Sequence, residues 1–192
     1  MQILIPVFYL LFLAPFQLAL ADDQSLRLWG GGAFNSSSIS GIQYSGEKIQ
    51  AGVHFPAPPE ERQSLRISAS RVFDSSTMNR YSFLAHIGYR ILGPLEIAFL
   101  GGVGFLEDSQ SGGTYLKPVI GAELMSPLFN HGRSTVSAFA SYEVFQGTTG
   151  SIALDGGSDA LTTRSFSVGL GVSFDLFRDP PTIEKKLVSR ID

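Results

Sequence analysis

The sequence predicts an all-β chain, an eight-stranded antiparallel up-and-down transmembrane β-barrel with short periplasmic turns, longer outer loops and a short C-terminal tail. Three observations carry this expectation. Apolar and polar residues alternate with period two over eight separate segments. The connections between those segments alternate long and short. Aromatic residues gather near the segment ends on the apolar face.

Composition removes other classes first. The chain has 192 residues, 44% hydrophobic and 16% charged, with 21 glycines, no cysteine and a formal net charge of -3. So much apolar content with so little charge collapses instead of staying solvated, which excludes disorder. The absence of cysteine removes disulfide scaffolds and thiolate chemistry. Scattered Lys and Arg in a net acidic chain give no surface for a phosphate backbone, so no nucleic-acid partner is expected.

The chain begins with a nearly continuous apolar run from Ile3 to Leu20, followed by Asp22 and Asp23. Ala19-Leu20-Ala21 has the small-x-small form of a signal-peptidase site, so residues 1–21 read as a signal peptide cleaved after Ala21. Its first residues carry no Lys or Arg, leaving the α-amino group as the positive charge. The rival reading, an uncleaved anchor, is weakened by Pro6 and Pro15, which interrupt the helix a bilayer span needs. The expected organisation is residues 1–21 as signal, 22–177 as barrel and 178–192 as a periplasmic tail.

The segments follow in order. The first places Leu26, Leu28 and Phe34 on its apolar face; the second Ile49, Ala51, Val53 and Phe55; the third Leu65, Ile67 and Ala69. The fourth has Tyr81, Phe83, Ala85, Ile87 and Tyr89, and the fifth Leu95, Ile97, Phe99, Val103 and Phe105. The sixth carries Leu116, Ile120, Ala122 and Leu124, and the seventh Val136, Ala138, Ala140, Tyr142 and Val144. The eighth is the clearest, with Phe166, Val168, Leu170, Val172, Phe174 and Leu176 opposite Ser165, Ser167, Gly169, Gly171, Ser173 and Asp175. Segments of about 9–12 residues have the length of tilted strands crossing a bilayer.

Period two does not say which face is out, so a soluble periplasmic carrier barrel is the structural rival. Loop asymmetry separates the two. Asn35–Glu47, Asp74–Arg80, Glu107–Thr114 and Gln146–Thr163 together hold 46 residues, whereas Pro56–Gln63, Ile91–Pro94 and Pro127–Arg133 hold 19. A membrane barrel with long outer loops and short periplasmic turns has this form. Phe34, Tyr81, Phe83, Phe105, Tyr142 and Phe166 would form the outer aromatic girdle, and Phe55, Tyr89 and Phe174 the inner one.

The polar faces then line a lumen. They carry Gly, Ser and Thr with single charged or polar residues: Arg27, Lys48, Gln50, His54, Arg66, His86, Arg90, Glu96, Lys117, Glu123, Glu143 and Asp175. Strand parity places Arg27 beside Asp175 and Arg90 beside Glu96 at the inner end, and Lys117 facing Glu143 near the outer end. Arg66, Glu123 and His86 fill the middle layer. Eight strands enclose about the room their own side chains need, so this network is expected to plug the lumen instead of lining a pore.

Catalytic and metal constellations are weak. His54 and His86 share the lumen phase, His131 lies in an inner turn, and no metal-binding spacing connects them, so no metal or other cofactor is expected. An envelope enzyme modifying lipid A or phospholipid remains as an alternative; it needs a Ser, a His and an acid converging near the outer leaflet, and no His falls in an outer loop. Gly30-Gly31-Gly32 and Gly101-Gly102-Val103-Gly104 lie inside strand patterns with no helix following, which points to curvature or close lumen packing.

The final segment, Ser167 to Phe174, has the form polar-x-Gly-x-x-apolar-x-aromatic. It resembles the assembly signal on the last strand of bacterial outer-membrane proteins. With eight alternating segments and a signal peptide, the chain resembles the small outer-membrane barrels of the OmpX, opacity-protein and OmpA transmembrane-domain type over roughly residues 26–177. The resemblance implies the bacterial outer membrane as location, its lipids and lipopolysaccharide as surroundings, the barrel-assembly machinery as a partner, and a structural or surface-interaction role. This chain departs by continuing past Phe177. In that tail Ile183, Leu187 and Ile191 recur at helical spacing behind Pro180-Pro181, which would suit docking a periplasmic partner or the inner membrane rim. The outer connections NSSSISGIQYSGE and QGTTGSIALDGGSDALTT are Gly- and Ser-rich and read as surface loops.

Overall fold

The computed structural model describes residues 26–39, 41–56, 62–74, 76, 78–108, 114–146, 152–153 and 162–176. The expected signal peptide, the tail and most of the connection before the last strand lie outside the described residues.

Nine strands form one antiparallel sheet: β1 (Arg27–Ile39), β2 (Ile42–Phe55), β3 (Gln63–Asp74), β4 (Met78–Leu92), β5 (Leu95–Asp108), β6 (Thr114–His131), β7 (Ser134–Phe145), β8 (Ile152–Ala153) and β9 (Thr163–Asp175). Seven of them, β1 to β7, pair with their sequence neighbours, β9 pairs with both β7 and β1, and the sheet closes on itself. The two-residue β8 adds to the loop end of β6 through Tyr115 and Leu116. The fold is thus a closed eight-stranded up-and-down barrel.

Register fixes its dimensions. Following the ladder sideways from Arg27 leads through His54, Arg66, His86, Leu100, Gly121, Glu143 and Ser165 back to Ser37, ten residues above Arg27 on β1. A stagger of ten residues at about 3.3 Å each, against eight strand spacings of about 4.8 Å, tilts the strands by roughly 40° and sets a wall radius of about 8 Å. Extended side chains from opposite walls therefore meet near the axis.

The expected phase holds around the wall. Leu28, Phe34, Ile49, Phe83, Phe99, Ile120, Leu124, Tyr142, Phe166, Leu170 and Phe174 are all more than 40% exposed, while their alternate neighbours are buried or half-buried. An apolar exterior around a polar interior excludes the soluble carrier barrel, whose phase is inverted. Phe55 and Leu65 depart from the pattern: opposite each other at the short-turn end of β2 and β3, each is only 8% exposed.

The barrel strands are longer than expected, 12–18 residues. The expected loop Asn35–Glu47 is instead a continuous hairpin, with Ser36 opposite Ser45 and Ile39 opposite Ile42. Above the apolar belt both faces carry Ser and Gly, so alternation vanishes while backbone pairing continues. Pro127 was likewise expected to start a turn, but β6 runs through it to His131 by means of a register shift between Pro127 and Phe129. Gly41, Gly93 and Gly132 adopt positive φ at the three tightest hairpins, a conformation that side chains with a Cβ resist.

Candidate functional site

The alternation that turns Leu, Ile and Phe outward turns every second residue toward the axis, and the lumen is the candidate site. Lys48, Gln50, His54, Arg66, His86, Lys117, Glu123, Glu143 and Asp175 are all buried there, with Arg27, Arg90 and Glu96 partly buried. The network has three layers.

At the short-turn end, Arg27 and Asp175 are directly opposite in the β1–β9 ladder, and Arg27 Nε lies 3.6 Å from Asp175 Oδ2. Arg90 and Glu96 are opposite each other across the β4–β5 ladder, and Ser64 on β3 hydrogen-bonds Glu96. Arg27, Arg90 and Glu96, with Trp29, His54 and Met125, line a vestibule of about 400 Å³.

The middle layer is built around Arg66. Its NH2 nitrogen pairs with Glu123 and lies 2.7 Å from His86 Nδ1. Its NH1 nitrogen lies 3.3 Å from Met125 Sδ, and its guanidinium stacks 4.4 Å from the Trp29 ring. His86 Nε2 is 2.7 Å from Ser68 Oγ, and its Nδ1 is 3.8 Å from Glu123. Serine, histidine and glutamate thus converge, but the proton is on the wrong nitrogen for nucleophilic catalysis. A guanidinium only donates, so Nδ1 accepts from Arg66 and the ring proton sits on Nε2, which donates to Ser68. His86 in this tautomer does not take the Ser68 proton, and all four side chains are 2–3% exposed.

In the upper layer Lys48 on β2 pairs with Glu143 on β7, across the lumen. Glu143 is expected from sequence to face Lys117; in the structure it forms an ion pair with Lys48, while Lys117 is buried on β6. Lys117 enters above the last β6–β7 ladder pair, Val119 with Phe145, so no direct register joins it to Glu143. Above this, Arg80 pairs with Asp74 and donates to Ser37 at 2.6 Å, while Asn35 accepts from Ser165 and, at 3.0 Å, from Ser167.

Sequence reasoning missed Arg80 and Asp74, treating their segment as loop. Continuing the phase of Ser82 and His86 one step upward would have placed Arg80 inside. It also missed the apolar part of the lumen. Trp29, Met125 and Phe139 form one interior cluster, and Leu84, Ala98, Leu100, Leu106, Val119 and Phe145 another. Single glycines make room for these clusters: a Cβ on Gly171 would come within 2.8 Å of the Trp29 ring, and one on Gly31 within 3.2 Å of Phe139.

These features define a closed, apolar-walled, polar-cored barrel, the fold of the small eight-stranded outer-membrane proteins. Among solved structures the chain is similar to Neisserial surface protein A, with a TM-score of 0.59 and 11% identity over 79% of this chain and 97% of that one. It is also similar to Ail, the attachment invasion locus protein of Yersinia pestis, solved in complex with the heparin analogue sucrose octasulfate, with a TM-score of 0.50 and 17% identity over 80% and 100% of the two chains. At these identities the likeness is one of fold. No protein-family model matches the chain, and no curated protein matches it in sequence.

Proposed function

We propose that the protein is an integral barrel of the bacterial outer membrane with a structural or surface-interaction role, its lumen plugged by its own side chains. One observation carries this reading: large apolar side chains cover the outer wall while Lys48, Arg66, Arg80, Glu123 and Glu143 fill the interior at 3% exposure or less. Exposing the outer wall to water would be costly, and in lipid it is at home. Interior charges form ion pairs with one another, and the contact of Lys48 with Glu143 crosses the lumen, which supports a plug over an open pore. Cleavage after Ala21, recognition of Ser167 to Phe174 by an assembly machinery, and docking of the tail to a periplasmic partner belong to the same reading. The surface role would reside at the long-loop end.

Two measurements test it together. The chain refolded in detergent is expected to run faster on an unboiled gel than after boiling, and not to do so when refolded in buffer alone. Reconstituted in a planar bilayer, it is expected to give no sustained conductance. Monomeric folding in buffer alone would refute membrane insertion, and a stable conducting level would refute the plug.

A further inference from the structure

Arg71 is a charge on the wrong side of the wall. It follows Ile67 and Ala69 in the outward phase of β3 and stands in register with Ile49 on β2 and Tyr81 on β4, with Phe105 next in the same row. That row lies in the aromatic girdle of the long-loop end, the level at which a bilayer's headgroups meet its hydrocarbon. The guanidinium is clamped between two rings, 4.4 Å from Phe73 and 5.1 Å from Tyr81. Among the described residues no acid forms an ion pair with Arg71, and its Nε has no hydrogen-bond partner. Glu47, the acid nearest in the ladder, is exposed and stands opposite Phe73.

Directly below, Ala51 and Ala69 face each other across β2 and β3. Between the larger Ile49 and Phe83 their small side chains leave a groove of about 300 Å³ on the outer wall, with Arg71 at its upper end. A fixed cation above a narrow apolar channel matches an amphiphile with an anionic head and an alkyl chain. Planar guanidinium is suited to phosphate, which it binds through two parallel hydrogen bonds. We propose that Arg71, Phe73, Tyr81 and the Ala51–Ala69 groove form a binding site for a phosphate-bearing lipid of the leaflet at the long-loop end, with phosphate on the guanidinium and one acyl chain in the groove. The proposal rests on the membrane-embedded reading above and adds one specific, stoichiometric lipid to it.

Native mass spectrometry of the full chain in detergent micelles tests this, with diphosphorylated lipid A and its dephosphorylated form as probes. Wild type is expected to retain one diphosphorylated molecule at about tenfold higher affinity than the dephosphorylated one. Arg71→Gln, which removes the cation, and Ala69→Leu, which fills the groove without changing charge, are each expected to weaken retention about tenfold. Arg164→Gln, at an exposed position at the loop end of β9, is expected to leave it unchanged. Equal retention of the two probes by wild type overturns the site without needing any variant to fold. So does wild-type retention in Arg71→Gln or Ala69→Leu, or an equal loss in Arg164→Gln. Loss of the heat-modifiable band in wild type would instead refute membrane insertion, so the two failures are distinguishable.

Discussion

Arg66 NH2 lies 2.7 Å from His86 Nδ1, and this contact sets the proton arrangement at the centre of the lumen. Because the guanidinium cannot accept, His86 is held with its proton on Nε2, aimed at Ser68 2.7 Å away. The arrangement is a hydrogen-bond chain that ends on a serine hydroxyl, not a relay that activates one. Nitrogen chemical shifts of ¹⁵N-histidine-labelled protein in micelles are expected to show His86 as the Nε2–H tautomer. A proton on Nδ1 would mean that Arg66 does not reach the ring.

Arg66 also holds Glu123, and both are almost fully buried. Arg66→Ala leaves that carboxylate without its cation and is expected to cost about 3–5 kcal/mol of folded-state stability. Replacing both partners, Arg66→Met with Glu123→Leu, is expected to recover most of the loss, because the pair's attraction is largely offset by its desolvation. Urea titration in lipid vesicles would read both values through the fluorescence of Trp29, the protein's single tryptophan, whose ring lies against Arg66. A double variant as unstable as Arg66→Ala would contradict this account.

Gly104 faces the lumen beneath the Phe145 ring, with Val119 beside it. Gly104→Leu is expected to destabilise the barrel by about 1–3 kcal/mol through overpacking, whereas Gly101→Leu, where a Cβ meets nothing within 4 Å, is expected to fold like wild type. The folded fraction on unboiled gels distinguishes them. Equal folding would show that the upper lumen has slack.

Leu170 stands half-exposed at mid-height of β9, opposite Gly32 and Ala138. Leu170→Arg is expected to reduce insertion into vesicles by about 2–4 kcal/mol, the penalty for a charge at the midplane of a lipid-facing wall. Phe34→Arg, near the loop end of the outer wall, should cost far less. If both positions tolerated arginine equally, the wall would not be facing hydrocarbon.

The strand phase was legible wherever large apolar residues alternate with small or polar ones, as in Phe166 to Leu176. Lys48, Arg66, His86, Glu123 and Glu143, singled out from sequence, are buried, while Ile49, Ile67, Leu124 and Tyr142, alternating with them, are exposed. The Arg27–Asp175 neighbourhood was legible too, because both ends of the chain's strand series must meet when a barrel closes. The Ser-rich hairpin of β1 and β2 was not, since its pairing is carried by the backbone and leaves no mark on side-chain alternation. Trp29 and Arg71 escaped for the opposite reason: each breaks the composition of its face, an apolar ring inside and a cation outside.

What the sequence determined by itself is therefore the set of faces. Period two assigns each residue to lipid or lumen, and the number of segments sets the barrel size. What only the tertiary structure decided is which interior groups meet. Lys48 reaches Glu143 across the lumen, and Arg66 joins Glu123, His86, Met125 and Trp29 from three other strands. Those partners depend on the ten-residue stagger of the closed ladder, a sum of eight registers that no local stretch of sequence encodes.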